Sequence, residues 1–337
     1  MKRLNKLLLC GGVLIVFIGP AASGNDSAAS TALGGIQLKR EPRVAMLKEK
    51  LTISTEKVTV EYEFRNESDQ DITTEVAFPV PPYGVTTSAA GIRKFDDFRV
   101  WVEGVQLKYR VAVRAKFQSK DYTELLKKYA VDIASLGHFD DSGEELFSAD
   151  FRKLSKPAQE ALTKAALFDP DDHLPDWKVE KTYYWRQTFP AHKILHVRHE
   201  YEPGVGFRLV EGKFLDRAVR KKEVDAIKRL HQDDYRGLRI LSSDLDSVCV
   251  VPKLEPALIA AADKDGYVRM MWVDYILTTA NSWKTPINDF ELVFIKAKGQ
   301  NASLCWNGPI ERIDENRMRA KVKNFIPKTE LRIAYFY

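Results

Sequence analysis

The sequence predicts a mainly β protein made of two sandwich-like antiparallel β units with a helical insert. Three observations carry this prediction: apolar and polar residues alternate along many short runs, most runs end near Gly, Asn, Asp or Pro, and segments with helical spacing interrupt them. A chain of 337 residues is long enough for two domains. We expect a signal peptide over 1–24, an N-terminal β-sandwich-like unit over 25–118, a helical insert over 119–175, and a C-terminal β-rich unit over 176–337 with a short helical segment near 215–230.

The start of the chain has the pattern of an export signal. Lys2, Arg3 and Lys6 form a basic start, an uncharged run follows over 7–20, and small residues come next. The apolar run is shorter than the roughly 20 residues that a membrane-spanning helix needs. We therefore predict cleavage before Asn25 and a periplasmic or secreted product without a stable membrane span. An uncleaved signal anchor is the alternative.

The charge balance does not indicate a nucleic-acid partner. The chain has 52 Lys and Arg residues against 47 Asp and Glu residues, and the signal segment takes three of the basic ones, so the remainder is nearly neutral. Basic residues are interspersed with acidic ones, apart from the run RAVRKK at 217–222. Such a run is typical of a solvated helix face, and we predict no nucleic-acid binding.

Two stretches show the alternation of apolar and polar residues that is expected of the β units. In VTVEYEFRNESDQDITTEVAFPVPP, at 58–82, apolar residues alternate on both sides of a polar turn until prolines end the second strand. The stretch TYYWRQTFPAHKILHVRHEYEPGVG, at 182–206, repeats the pattern. We predict that each stretch forms an antiparallel hairpin. The GVG at 204–206, at the end of the second stretch, is predicted to be a turn. The leader NDSAASTALGGIQL either docks as an edge strand or stays loose.

Further strands and helices are predicted from the same strand alternation and from helical spacing of apolar residues. DYTELLKKYAVDIASLG is predicted to form a helix with Asp121 as its N-cap and Gly137 at its end. Ser155 and Pro157 are predicted to begin a second helix in LSKPAQEALTKAALF. A third helix is predicted from about 215 to 230, with a short fourth in VPKLEPALIAAADKDG. The other predicted strands are FRVWVEGVQLKYRVAVRAKF, VRMMWVDYILTT, DFELVFIKA, RMRAKVKNF and LRIAYFY.

Cys249 and Cys305 are the cysteines that remain after the predicted cleavage. Two thiols in an oxidising compartment are more readily paired than free. Their separation fits neither a C-x-x-C redox motif nor a four-ligand zinc site. We predict a structural disulfide that closes a loop of about 57 residues and contributes roughly 4 kcal/mol on the loop-entropy model.

Several motifs in this order resemble one bacterial family. They are NDSAAS followed by LGGIQL, VEYEFRNESDQDITTEVAFPVP, YYWRQTFPAHKILHVRHEYEPGVG, DYILTTANSWKTPINDFELVF, and the cysteines in SVCV and SLCW. Together they resemble the domain-of-unknown-function family 4424 over nearly the whole mature chain. The resemblance implies a secreted, envelope-located bacterial protein from a family without an established activity. It also favours pairing of Cys249 with Cys305.

The sequence lacks the common catalytic motifs, including G-x-S-x-G, H-E-x-x-H and the P-loop. His192, His196 and His199 are close in sequence, but on a strand His199 points away from the other two, which favours core or turn roles over a metal site. The acidic stretch FDPDDHLPDW lacks the glycine and closing glutamate of a calcium loop. We therefore expect no metal and no cofactor.

The stretch ILTTANSWKTPINDFEL is the candidate binding loop, because hydrogen-bonding side chains surround a tryptophan between two strands. If the tryptophan is exposed, the loop suits recognition of a glycan, peptide or protein. If it is buried, the loop is a long connection pinned to the core. The predicted binding residues are Trp283, Thr278, Thr279, Asn281 and Asn288.

Two functional hypotheses follow. The favoured one is a non-catalytic envelope protein whose β-sandwich surfaces bind a protein or an envelope polymer. The alternative is an envelope hydrolase or metal-assisted enzyme with a dispersed active site. The missing motifs favour the first hypothesis, and the histidines and polar loops are the motivation for the second.

Overall fold

The computed structural model describes residues 26–337 apart from 33–34, 85–91, 94, 135–151, 169–174, 231–234, 251–253 and 263–265, so the predicted signal peptide lies outside it. The fold is mainly β, as predicted. The strands are β1 (Ser27–Ala32), β2 (Gly35–Leu38), β3 (Val44–Ile53), β4 (Val58–Asn66), β5 (Ile72–Pro79), β6 (Ile92–Arg93), β7 (Asp96–Val102), β8 (Val105–Gln106), β9 (Arg110–Phe117), β10 (Lys120–Asp121), β11 (Lys178–Phe189), β12 (Ile194–Glu202), β13 (Val205–Glu211), β14 (Tyr267–Tyr275), β15 (Ile287–Ile295), β16 (Asn301–Leu304), β17 (Glu311–Arg312), β18 (Arg317–Phe325) and β19 (Leu331–Phe336).

These strands form three sheets. The eight-stranded sheet has the order β17-β18-β15-β3-β4-β12-β7-β8, the six-stranded sheet β10-β9-β11-β5-β1-β2, and the five-stranded sheet β16-β19-β14-β13-β6. Neighbouring strands are antiparallel, except that β3 and β15 are parallel. Strands from both 25–118 and 176–337 enter the two larger sheets. The domain boundaries drawn from the sequence stay predictions.

The two predicted hairpins are wrong in their pairing, although all four strands are present. β4 and β5 lie in different sheets, and so do β11 and β12. Each stretch is an arch: the first crosses from the eight-stranded to the six-stranded sheet, and the second crosses back in the opposite direction. The two arches pair with each other, β4 with β12 and β5 with β11. An arch buries its apolar faces against each other across the core, and its alternation and polar turn look the same in sequence as those of a hairpin.

The buried Asn66 holds the two arch turns together. Its side-chain nitrogen donates to the carbonyl of Gln70 in its own turn and to the carbonyl of Phe189 in the other arch, both at 2.8 Å. The Ala191 N–H of the second turn donates to the Asp71 carboxylate of the first, also at 2.8 Å. The polar segment NESDQD therefore joins the two arches.

One core of buried side chains is shared by the three sheets. Strand β4 alternates between buried and more exposed residues along its whole length, as the sequence pattern predicts. Burial of each large apolar side chain contributes roughly 1.5–3 kcal/mol. The core includes Val58, Tyr62 and Phe64 from the eight-stranded sheet, Phe78 and Trp185 from the six-stranded sheet, and Tyr275 and Ile333 from the five-stranded sheet.

Helices cover the outer faces of the two smaller sheets. Leu126 and Leu162, from the first two helices, pack against the six-stranded sheet, and Leu245 and Leu258, from the last two, pack against the five-stranded sheet. The helices are α1 (Thr123–Lys128), α2 (Lys156–Lys164), α3 (Arg217–Leu230), α4 (Tyr235–Asp246) and α5 (Glu255–Ala260), with short 3₁₀ helices at Gly212–Leu215 and Thr278–Ser282.

The first helix is shorter than predicted. Ala130 has a left-handed φ of 54°, and the N–H of Val131 bonds back to the carbonyl of Leu126. This geometry is a C-terminal cap. It directs Val131 and Ile133 into the smaller apolar cluster between the first two helices and the six-stranded sheet. Helix α4 was not predicted from the sequence.

Cys249 and Cys305 form the predicted disulfide, with their Cα atoms 4.9 Å apart. The bond joins the turn after α4 to the residue after β16, so it ties the helical layer to an edge of the five-stranded sheet. Within the described ranges, no helix is both long and apolar enough to cross a membrane.

Candidate functional site

Trp283, the centre of the predicted binding loop, is buried. Its side chain is 1% exposed, and its ring centroid lies 4.7 Å from that of Phe64 and 5.8 Å from that of Phe189. The indole N–H donates to the carbonyl of Asp26 at 2.8 Å. Of the two alternatives left open by the sequence, the buried one is observed, because burial of the ring and a partner for its N–H are both available inside the sandwich. The loop is a connection pinned to the core.

The other predicted binding residues are spread around this connection. Thr278 donates its hydroxyl to the Glu330 carboxylate at 2.5 Å, and Thr279 is buried. Asn281 is exposed and donates to a backbone carbonyl, whereas Asn288 is half-buried on β15. Their role in binding stays a prediction. The partner of Thr278, Glu330, is a residue of the cleft described below.

The three histidines do not converge. His192 lies in the turn before β12 and pairs with Asp69, while His196 is exposed and pairs with Glu103. His199 points into the core, as its strand parity predicts. No group of three metal-binding side chains occurs within the described part of the chain, and most of the acidic stretch FDPDDHLPDW lies outside it.

His199 and Asp26 are fully buried neighbours, with Nε2 and Oδ2 3.5 Å apart. Burial lowers the pKa of His199 to about 3. Burial, together with the nearby charge of Glu49, raises the pKa of Asp26 well above its ordinary value. Both shifts favour the uncharged forms. Aromatic rings surround the imidazole, those of Tyr62, Phe78, Phe98 and Trp185.

Tyr275 links this core to the surface. Its hydroxyl donates to Glu49 at 3.2 Å and lies 3.1 Å from the hydroxyl of Tyr62. Burial is the main reason why the pKa of Tyr275 is raised well above its ordinary value. Another part of the same residue lines a cleft, so one side chain separates the buried polar cluster from that cleft.

The cleft has a volume of about 1060 Å³ and opens where the ends of the six-stranded and five-stranded sheets approach each other. We call it the inter-sheet cleft. Pro81 and Pro82, directly after β5, form part of its lining. One wall comes from the ends of β9 and β11, and the other from the ends of β14 and β19. Apolar lining comes from Phe117, Ile276 and Leu331.

Both walls of the inter-sheet cleft carry paired charges. Lys116 and Glu180 are 3.2 Å apart on one wall. On the other, the Arg332 guanidinium binds both carboxylate oxygens of Asp274, at 2.5 and 2.9 Å. Burial disfavours the charged Arg332, but its hydrogen bond to Asp274 and the carboxylate charge outweigh burial and raise its pKa. The walls therefore present fixed charges of both signs.

Backbone and side chains also fix the base of the cleft. The Glu330 carboxylate accepts hydrogen bonds from the N–H groups of Leu277 and Thr278, at 2.7 and 3.2 Å. Next to the inter-sheet cleft, a small recess of about 50 Å³ is lined by Trp272 and Gly206. A Cβ atom on Gly206 would lie 2.0 Å from the indole of Trp272, so only glycine fits there.

Parts of this site are visible in the sequence. The prolines after β5 were interpreted only as a strand end, and the GVG motif as a turn. The turn prediction is wrong for Val205 and Gly206, which begin β13 and pair with β14, and the Trp272 ring leaves room only for glycine at 206. Asp274 and Arg332 are isolated charges in apolar strands, and nothing in the sequence shows that they pair.

Comparisons with known proteins give distant likenesses. A crystal structure of a candidate nutrient-binding protein from Legionella pneumophila has 13% identity, covers 93% of this chain and 70% of its own, and superposes with a TM-score of 0.44. The structure of native yeast LTA4 hydrolase has 8% identity, covers 87% of this chain and 29% of its own, and has a TM-score of 0.28. A search of curated proteins gives no match. Neither structural likeness assigns a function.

The comparison with protein families is specific. The family model described as Domain of unknown function (DUF4424) matches residues 24–334. This range includes both arches, the helices on both smaller sheets and the two disulfide-bonded cysteines. The chain therefore belongs to the DUF4424 family.

Proposed function

We propose that this chain is an exported, non-catalytic binding protein of the bacterial envelope, and that its inter-sheet cleft holds a peptide segment of a partner protein. The observation that carries the proposal is the cleft itself. Its volume of about 1060 Å³ is that of a ligand site, and it lies where two sheets meet.

The lining of the cleft suits a peptide. Phe117, Ile276 and Leu331 offer apolar contact, while Lys116 and Arg332, each beside a carboxylate, offer charges of both signs. A peptide has apolar side chains, backbone donors and acceptors, and charges of either sign, so it complements such a surface. A polymer with charges of a single sign would meet repulsion on both walls.

The charged groups of the cleft favour binding over proton transfer. The carboxylates of Glu180 and Asp274 face cations, and that of Glu330 accepts backbone hydrogen bonds. Each carboxylate is already held by a partner on the chain, so the cleft offers a ligand fixed charges and hydrogen-bonding groups.

Export is supported by two features of the chain. The basic and apolar start of the sequence has the pattern of a cleavable signal. The Cys249–Cys305 disulfide is typical of proteins from oxidising compartments.

Site-specific photo-cross-linking in living cells tests the proposal. A photoreactive amino acid replaces Lys178, an exposed residue of the cleft, or, as a matched control, Lys298, an exposed residue in the turn after β15. We expect an adduct at 178 that maps to one linear segment of a partner, and none at 298. A synthetic copy of that segment should bind the purified protein and lose about tenfold in affinity on Lys178→Glu.

Two results would contradict the proposal. One is equal adduct formation at both positions, which would indicate random encounter. The other is a synthetic segment whose affinity does not change when Lys178 is replaced, which would place the contact outside the cleft.

A further inference from the structure

The outer face of the eight-stranded sheet carries two rows of side chains that run across the strands. Along each row, Lys or Arg residues alternate with Asp or Glu residues from one strand to the next, except that the first row includes His196 and the second ends at Trp101. The rows are two residues apart along the strands, or roughly 6.7 Å. The first row is Lys323, Asp289, Lys48, Glu63, His196 and Glu103, and the second is Lys321, Glu291, Lys50, Glu61, Arg198 and Trp101.

The charges of these rows are paired with their neighbours. Lys48 lies 3.3 Å from Glu63, and Lys50 lies 3.3 Å from Glu61. The side chains of the second pair are 40% and 50% exposed, so they keep donors and acceptors directed at solvent. Because each cation has a carboxylate beside it, this face has little net charge.

A groove of about 490 Å³ lies between the two rows and crosses β3, β4, β12 and β7. Four adjacent strands at their usual spacing span about 14 Å. The groove reaches Trp101, which is half-buried and flanked by two guanidinium groups, Arg198 at 5.1 Å and Arg99 at 5.8 Å from the ring centroid. The groove is elongated, polar along both sides, and aromatic at one end.

We propose that this groove binds an unbranched, uncharged polysaccharide that lies across the strands. A sugar hydroxyl both donates and accepts, and the two rows offer a donor and an acceptor at alternate strands. Trp101 offers an apolar edge to a sugar ring at the end of the groove. This site is separate from the inter-sheet cleft, which is formed by the other two sheets.

The charge pattern decides between classes of polymer. A polyanion would be attracted by Lys48, Lys50 and Arg198 but would meet Glu61 and Glu63 between them. A polycation would meet the opposite pattern. An uncharged chain of hydroxyl groups avoids both penalties, because it brings no charge that must lose its water.

Calorimetric titration of the full chain with cellohexaose and with hexa-N-acetylchitohexaose, both uncharged, tests the inference. We expect binding of at least one of them, an affinity that changes little with salt, and a loss of about tenfold or more on Trp101→Ala. Tyr267→Ala, which removes an exposed ring on the five-stranded sheet, is the matched control and should leave the affinity unchanged.

A charge-removing variant and a cleft variant make the test more specific. The double variant Lys50→Gln with Glu61→Gln removes both charges but keeps hydrogen-bond donors and acceptors at these positions, so binding of the uncharged polysaccharide should persist. Lys178→Glu in the inter-sheet cleft should have no effect, which separates failure of this inference from failure of the proposed function.

Three outcomes would overturn the inference. The first is no binding of either hexasaccharide at millimolar concentration. The second is equal binding by the Trp101→Ala variant, which would place the site elsewhere. The third is preferential, strongly salt-dependent binding of polygalacturonate, which would identify the ligand as an anion.

Discussion

The two faces of the eight-stranded sheet are made from the same strands but tolerate polar groups in opposite ways. Along β4, Tyr62 and Phe64 on the inner face are 1% exposed, while the alternating Glu61 and Glu63 on the outer face form ion pairs at the surface. On the inner face a polar group must be uncharged or fully hydrogen-bonded, because charge is costly away from water. On the outer face, charges need only a neighbour of opposite sign. Substitutions on the inner face should therefore lower the free energy of unfolding much more than substitutions on the outer face.

The largest effect is expected at Trp283. Trp283→Ala removes a buried ring between Phe64 and Phe189 and the hydrogen bond to Asp26. The free energy of unfolding should fall by about 3–5 kcal/mol, measured by urea denaturation. Trp283→Phe is the control and should lose less, because it keeps most of the packing. A loss below about 1 kcal/mol for the alanine variant would contradict the comparison.

A smaller and pH-dependent effect is expected at His199. In the folded protein its pKa is lowered from 6.5 to about 3 by burial. Above the ordinary pKa the imidazole is neutral in both states. As the pH falls, the unfolded chain takes up a proton that the folded protein cannot, so stability is lost. Relative to His199→Gln, the protein should lose about 3 kcal/mol between about pH 7 and pH 4.

The Asp26 carboxyl next to it acts in the opposite direction. Its pKa is raised by burial and by Glu49, so its contribution is largest at low pH and falls as the pH rises above 3.8. The comparison of His199→Gln with the unmodified protein at each pH removes this background. Parallel pH profiles for the two proteins would show that His199 takes a proton in the folded state.

The next effect is expected at Asn66, the buried amide that joins the arches. Asn66→Ala leaves the carbonyls of Gln70 and Phe189 without this donor. We expect a loss of about 2 kcal/mol in the free energy of unfolding. Thr73→Ala, which removes an exposed hydroxyl pair with Thr188, is the control and should change it by less than about 0.5 kcal/mol. Similar losses for both variants would argue against a special role of the arch turns.

The smallest effect is expected on the outer face. A double-mutant cycle on Lys50 and Glu61, with alanine at each, should give a coupling energy below about 1 kcal/mol that decreases with added salt. Chemical denaturation at two salt concentrations measures it. A coupling energy of several kcal/mol would mean that the ion-pair rows are a main source of stability. It would contradict the expectation that the outer face contributes much less to stability than the inner face.

Local pattern predicted much of the fold and little of the site. Alternation located β4, β5, β11 and β12 and placed His196 and His199 on opposite faces. It could not tell an arch from a hairpin, since both have two alternating runs around a polar turn. Strand β3 was missed because a register shift between Met46 and Lys48 interrupts its alternation.

The inter-sheet cleft could not be predicted because its parts are distant in sequence. Lys116 and Asp274 line the same space, yet each lies in a strand that looks ordinary. The sequence left the burial of Trp283 open for a related reason: its partners, Phe64 and Phe189, belong to the two arches, and their contact depends on the pairing of those arches.

The pairing of the two arches also sets the order in which the chain can fold. Phe64 on β4 faces Leu195 on β12, about 130 residues later in the sequence, and β3 finds its parallel neighbour β15 later still. The first arch can pair early with β1 and β3, which precede it in the sequence, but its other edges have no partner until the second arch has been synthesised. Closing such long loops is slow, so the two larger sheets are completed late. The core that these sheets share therefore forms only after most of the chain has been synthesised.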